Sequence, residues 1–73
     1  MMVMTKNQGS EYKVNISDPS QLLTEGKVTI LGNYELLECD EHLSVVSDGE
    51  KTEITINFEG SRGRTLPVIL KVK

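Results

Sequence analysis

Apolar and polar residues alternate strictly over residues 11–16, with Tyr12, Val14 and Ile16 set against Glu11, Lys13 and Asn15. That period of two is what a half-buried strand presents. The same period returns over residues 65–72, where Leu66, Val68, Leu70 and Val72 share one side, and over 50–58, where Thr52, Ile54, Ile56 and Phe58 do. Three further short runs, 27–31, 34–39 and 43–47, are rich enough in Val, Ile and Leu to read as strands. The first two of these are part apolar on both sides, so a ribbon made from them must be covered twice, by its own fold and by a curled sheet or another chain.

The segments between these runs predict how they connect. Gly32-Asn33 reads as a two-residue, glycine-first loop of type II′, and Asp48-Gly49 as a type I′ loop. A hairpin at Gly32-Asn33 would set Val28 opposite Leu37 and Ile30 opposite Glu35, with Leu31 opposite Tyr34 and Thr29 opposite Leu36. A hairpin at Asp48-Gly49 would set Leu43 opposite Ile54 and Val45 opposite Thr52. Asp40-Glu41-His42 forms a further turn, and residues 59–64 a glycine-rich loop. Pro67 has no N–H to give a ladder, which places the last strand at a sheet edge or the proline at the strand's beginning. Over residues 18–26, Asp18 can cap a helix, Pro19 suits its first position, Gln21 stands three after the cap and Gly26 can close the end. A connector helix of at most two turns is expected there, with Leu22 and Leu23 covering an open end of the sheet.

The expected fold is therefore mainly β: a small antiparallel meander or a partly open barrel, of the SH3-like or OB kind, with five to six strands and one short connector helix. Residues 1–10 hold few groups to bury and read as a mobile N-terminal arm, leaving 11–73 as a single β-rich domain.

Seventy-three residues bury only about 60% of their unfolded surface. Domains this small often gain stability from disulfides, metals or self-association. Cys39 is the only cysteine, so no disulfide forms within the chain, and a lone thiol fits a reducing compartment. No positive stretch followed by an apolar run of secretory length opens the sequence, and no apolar run approaches the roughly 20 residues of a membrane helix. The reading is a cytoplasmic protein with no membrane contact. Only Tyr12, Tyr34 and Phe58 are aromatic, so the core is aliphatic.

Charge is segregated in a way that the net value of −3 conceals. Residues 35–59 carry eight acids against Lys51, whereas from Gly60 onward Arg62, Arg64, Lys71 and Lys73 meet no acid. Two consequences are open: the basic last strand lies beside the acids and neutralises them, or an acidic surface attracts a basic partner. The loop 60–64, with Lys71 and Lys73, invites a nucleic-acid reading, but an acidic chain with three aromatics lacks the basic stripe and stacking platform of such binders. Cys39 and His42 are metal-ligand types three apart, yet structural zinc takes about four ligands and the chain offers no second Cys or His. No nucleophile, base and orienting group stand in a catalytic arrangement, and no cofactor motif is present. The expectation is a non-enzymatic protein-binding module, a regulator or inhibitor of a larger assembly, that self-associates as a homo-oligomer. Leu31, Tyr34 and Leu36 are its expected contact residues, and Glu35, Glu38, Asp40 and Glu41 its acidic rim. The alternatives are a nucleic-acid-binding barrel using Arg62, Arg64, Lys71 and Lys73, and a structural subunit assembling by strand addition.

Overall fold

The computed structural model describes residues 1–73 and contains seven strands and no helix: β1 (Met2–Gln8), β2 (Glu11–Ser17), β3 (Glu25–Leu31), β4 (Tyr34–Cys39), β5 (Leu43–Ser47), β6 (Lys51–Asn57) and β7 (Leu66–Val72). They form two antiparallel sheets, one ordered β1-β2-β7-β4 and the other β3-β6-β5. The sheets are not closed into a barrel. They face each other across a core made by alternate residues of the three central strands: Val14 and Ile16 of β2, Leu66, Val68 and Leu70 of β7, and Ile54 and Ile56 of β6 with Phe58 just beyond it. Burying each such aliphatic side chain contributes roughly 1.5–3 kcal/mol, so the strands that alternate most cleanly in sequence are the ones at the centre.

Five expectations change. Residues 1–10, read as an arm, supply β1, which pairs with β2 from Met2↔Ser17 to Gln8↔Glu11 across a Gly9-Ser10 turn. Its residues are all exposed, which is why its pattern carries no alternation to read.

No helix forms after Asp18. The Asp18 carboxylate accepts the Ser20 hydroxyl at 2.6 Å and the Leu23 N–H at 2.8 Å, too far along the chain for a helix cap, and Gln21 takes φ 57°. A segment this short has too few bonds to nucleate a helix unaided, and here it spans from one sheet to the other. Leu23 packs on the core, while Leu22 points to solvent.

Gly32-Asn33 joins no hairpin. β3 pairs with β6 and β4 with β7, so the chain changes sheets at this point. The two-sided apolar pattern of 27–39 thus belongs to two edge strands in different layers. By contrast, Asp48-Gly49 does close a hairpin, with Leu43 opposite Ile56 and Val45 opposite Ile54. That register is two residues away from the expected one, a shift that leaves every side chain on its predicted face. Only Gly49 has positive φ there, so the turn is not type I′, which needs two such residues.

The last strand, β7, is central rather than at an edge, and Pro67 falls at its beginning, the second of its seven residues. Pro67 is tolerated because its carbonyl accepts the Asp40 N–H, which shows that its missing N–H also faces the β4 side, beyond the end of that strand at Cys39. The Asp40 carbonyl left without a ladder donor accepts the Leu43 N–H at 3.0 Å instead. Every buried side-chain nitrogen or oxygen has a partner: Thr52 donates to the Gly32 carbonyl, and Ser61 to that of Asn57.

Candidate functional site

β4 and the turn that follows it carry six of the seven residues expected to touch a partner: Tyr34, Glu35, Leu36, Glu38, Asp40 and Glu41. Because β4 is an edge, its outer backbone is unpaired. Asn33 accepts from the Lys73 N–H and Glu35 lies opposite Lys71, so the odd positions bond β7 and Tyr34 and Leu36 turn their N–H and C=O groups outward. The register slips between Leu36 and Glu38, and the inserted residue, Leu37, is 45% exposed beside Leu36 at 41%. Leu37's role was not legible in the sequence, since a bulge becomes visible only against its partner strand.

Leu31 stands apart from this group. It lies at the end of β3 in the other sheet and is 84% exposed. Tyr34 is half-buried and stacks on Tyr12 with ring centroids 5.6 Å apart, so part of its surface is spent within the fold. Glu35, Glu38 and Glu41 are exposed.

Asp40 has a different role from its acidic neighbours. Its Oδ1 accepts the His42 backbone N–H at 2.9 Å and His42 Nδ1–H at 2.7 Å, and its Oδ2 accepts Arg64 Nη2–H at 3.0 Å. These donors, led by the His42 backbone N–H, hold the Asp40 carboxyl below the ordinary carboxylate range. Asp40 therefore closes the β4–β5 corner rather than facing a partner. The His42 side chain is mostly covered.

Behind that corner lies an open hollow of about 550 Å³ whose lining includes Glu25, Glu41, Glu59, His42, Thr55 and Asn57 and no Lys or Arg. Glu25 and Glu59 are distant from Glu41 in the chain and meet it only because β3 and β5 flank β6. No spacing in the sequence announces that meeting.

The four basic residues of the C-terminal segment do not converge. Arg64 is bound to Asp40, and Arg62 donates to the Gln21 carbonyl. Lys71 sits in register between Glu11 and Glu35, roughly 16 Å along β7 from its start at Leu66 at about 3.3 Å per residue, whereas Arg62 and Arg64 lie in the loop before that strand. No group of three or more His, Cys, Asp or Glu side chains is arranged to hold a metal ion. Cys39 is half-buried against the core. No helix is long and apolar enough to cross a membrane. Comparison with known protein families finds no matching family model, and comparison with curated proteins finds no match.

Proposed function

We propose that this chain is a non-enzymatic protein-binding module that takes a basic partner along β4, acting as a regulator or inhibitor of a larger assembly. The observation that carries this reading is the exposed pair Leu36 and Leu37 on an unpaired edge strand, flanked by Glu35 and Glu38. An apolar centre inside a charged rim is the anatomy of a protein contact: the centre supplies desolvation energy, and the rim supplies steering and register. Glu41 and the acidic hollow extend the same sign of charge past the end of the strand.

The scattering of Arg62, Arg64, Lys71 and Lys73, with Arg64 neutralised by Asp40, weighs against the nucleic-acid alternative. A backbone-tracking groove needs its cations in one row.

The test is capture from the host's own lysate, with the captured protein identified by mass spectrometry. Wild-type protein is expected to retain a basic protein that is released as salt rises. Leu36→Ser with Leu37→Ser is expected to abolish retention while the melting curve stays cooperative, and Glu35→Gln with Glu38→Gln to weaken it and flatten its salt dependence. Retention indifferent to both pairs of changes would remove β4 as the contact.

A further inference from the structure

We infer that the chain pairs with a second copy of itself through β1, antiparallel about Thr5, so that two four-stranded sheets become one of eight strands. This inference stands apart from the proposed use of β4.

Its basis is a comparison of the four sheet edges. β4 is interrupted by the bulge at Leu37. β5 is the shortest strand, and the Asp40–His42 corner ties its start to β4. β3 presents Glu25 and Lys27 among its outward residues. Bulges, short length and charges are the devices that keep an edge from pairing with another chain. β1 has seven residues, an unbroken register with β2, no proline, no acid and one lysine. It is the edge with the fewest guards, Lys6 alone.

Hydrogen-bond parity shows which groups β1 leaves free. The Val72 N–H donates to the Ser10 carbonyl, so the even residues of β2 bond β7 and the odd ones bond β1. Glu11, Lys13, Asn15 and Ser17 oppose Gln8, Lys6, Met4 and Met2. Val3, Thr5 and Asn7 are left with N–H and C=O groups aimed at the open side.

Those three residues are self-complementary about one centre. With Thr5 facing Thr5 of the second copy, Val3 faces Asn7 and Asn7 faces Val3, each as a doubly bonded pair of an antiparallel ladder. Lys6 then lies opposite Met4, not opposite itself. Moving the centre to Lys6 would set the two lysines against each other, and moving it to Met4 would leave Asn7 without a partner. A two-fold pairing uses the same patch on both copies and therefore closes as a dimer. Continuation into a filament would require β4, where the bulge interrupts the edge.

The register dictates the experiment. Met4 is 60% exposed, so changing it leaves the core untouched. In the dimer each residue 4 faces a Lys6, so Met4→Glu is expected to tighten association about fivefold and Met4→Lys to loosen it about fivefold, through two cross-strand charge pairs. Thr5→Pro removes an N–H that β2 does not use, and is expected to yield a monomer that melts cooperatively. Sedimentation equilibrium of the full chain is expected to show wild-type protein passing from the 8.1 kDa chain to twice that mass as concentration rises. A wild-type chain that stays monomeric at millimolar concentration overturns the inference. So does an open-ended polymer, or a dimer whose constant is the same for Met4→Glu and Met4→Lys.

Discussion

Gly32-Asn33 and Asp48-Gly49 look alike as short glycine turns between strands, yet only the second joins neighbours in one sheet. The bonds at each show why. At the second, Asp48 Oδ1 accepts the N–H groups of Glu50 at 3.0 Å and Lys51 at 2.9 Å, and the Asp48 N–H reaches the Lys51 carbonyl at 3.1 Å. Every partner lies within three residues. At the first, the Gly32 N–H donates to the Glu50 carbonyl at 2.8 Å, its carbonyl accepts from Thr52 Oγ1 at 3.2 Å, and Asn33 is held by Ser47 and Lys73. Here the nearest partner is more than a dozen residues away. A local turn can form with its hairpin, whereas a crossover turn exists only once both sheets do.

If that difference is real, the same substitution must cost more at the crossover. Gly32 has φ +125°, and a Cβ there would stand 2.9 Å from the Tyr34 ring, which its stacking on Tyr12 keeps from swinging aside. Backbone strain and overpacking together make Gly32→Ala the most damaging of these changes, at about 3 kcal/mol in a urea melt. For a chain this size that lowers the melting temperature by roughly 4–8 °C per kcal/mol. Gly49→Ala meets no atom within 4 Å at φ +95°, so strain alone acts and the loss is about 1 kcal/mol. Equal losses at the two positions would erase the distinction between the turns.

Between these two falls the removal of the crossover's buried donor. Thr52 is fully buried, and its hydroxyl also reaches the Ser47 hydroxyl at 3.2 Å. Thr52→Val keeps the shape but leaves the Gly32 carbonyl without its side-chain donor, while the Ser47 hydroxyl keeps Asn33 Oδ1, at a cost of about 1.5 kcal/mol. Combined with Gly32→Ala, the two losses are expected to fall short of their sum, because both act on one bond. Thr52→Val combined with Gly49→Ala is expected to be nearer additive.

The same contrast marks what was legible in the sequence. Alternation located β2, β6 and β7, the three strands whose inner faces make the core, because a strand buried on one side must alternate. It could not locate β1, where both faces are exposed, nor tell that 27–31 and 34–39 belong to different sheets. Nothing in Leu31-Gly32-Asn33-Tyr34 distinguishes a hairpin from a crossover; the decision lies in which strand β6 recruits. The helix expected after Asp18 failed for a related reason. Asp18, Pro19 and Gln21 satisfy a start signal, but the carboxylate finds the Leu23 N–H once the chain spans two layers. Likewise the acidic run 35–41 was visible as composition, while its division was not: Asp40 belongs to the corner with His42 and Arg64, and Glu41 meets Glu25 and Glu59 only through the topology.

The smallest effect separates the turns by charge. Asp48 is held below the ordinary carboxylate range chiefly by the Lys51 and Glu50 N–H groups, Asp40 by the His42 N–H and ring with help from Arg64, and Asp18 by the Ser20 hydroxyl and the Leu23 N–H. A carboxyl whose folded value is depressed binds protons more readily when unfolded. Its contribution is complete above the unfolded value near 3.9 and disappears as pH falls through the lower folded value. These three groups therefore add no slope between pH 7 and 5, and their contribution is lost mainly below about pH 4. Asp48→Asn keeps an amide oxygen for the same two N–H groups and removes one titrating site, so the acid limb becomes shallower while the curve above pH 5 barely moves. Asp40→Asn also removes the anion facing Arg64 and exchanges one His42 acceptor, so stability falls at neutral pH as well, and less so in high salt, where that exposed pair is already screened. Urea midpoints measured from pH 7 to pH 2.5 at two salt concentrations distinguish the cases. If Asp48→Asn lowered the neutral plateau as much as Asp40→Asn, the hairpin turn would depend on charge in the same way as the corner, and its self-sufficiency would be disproved.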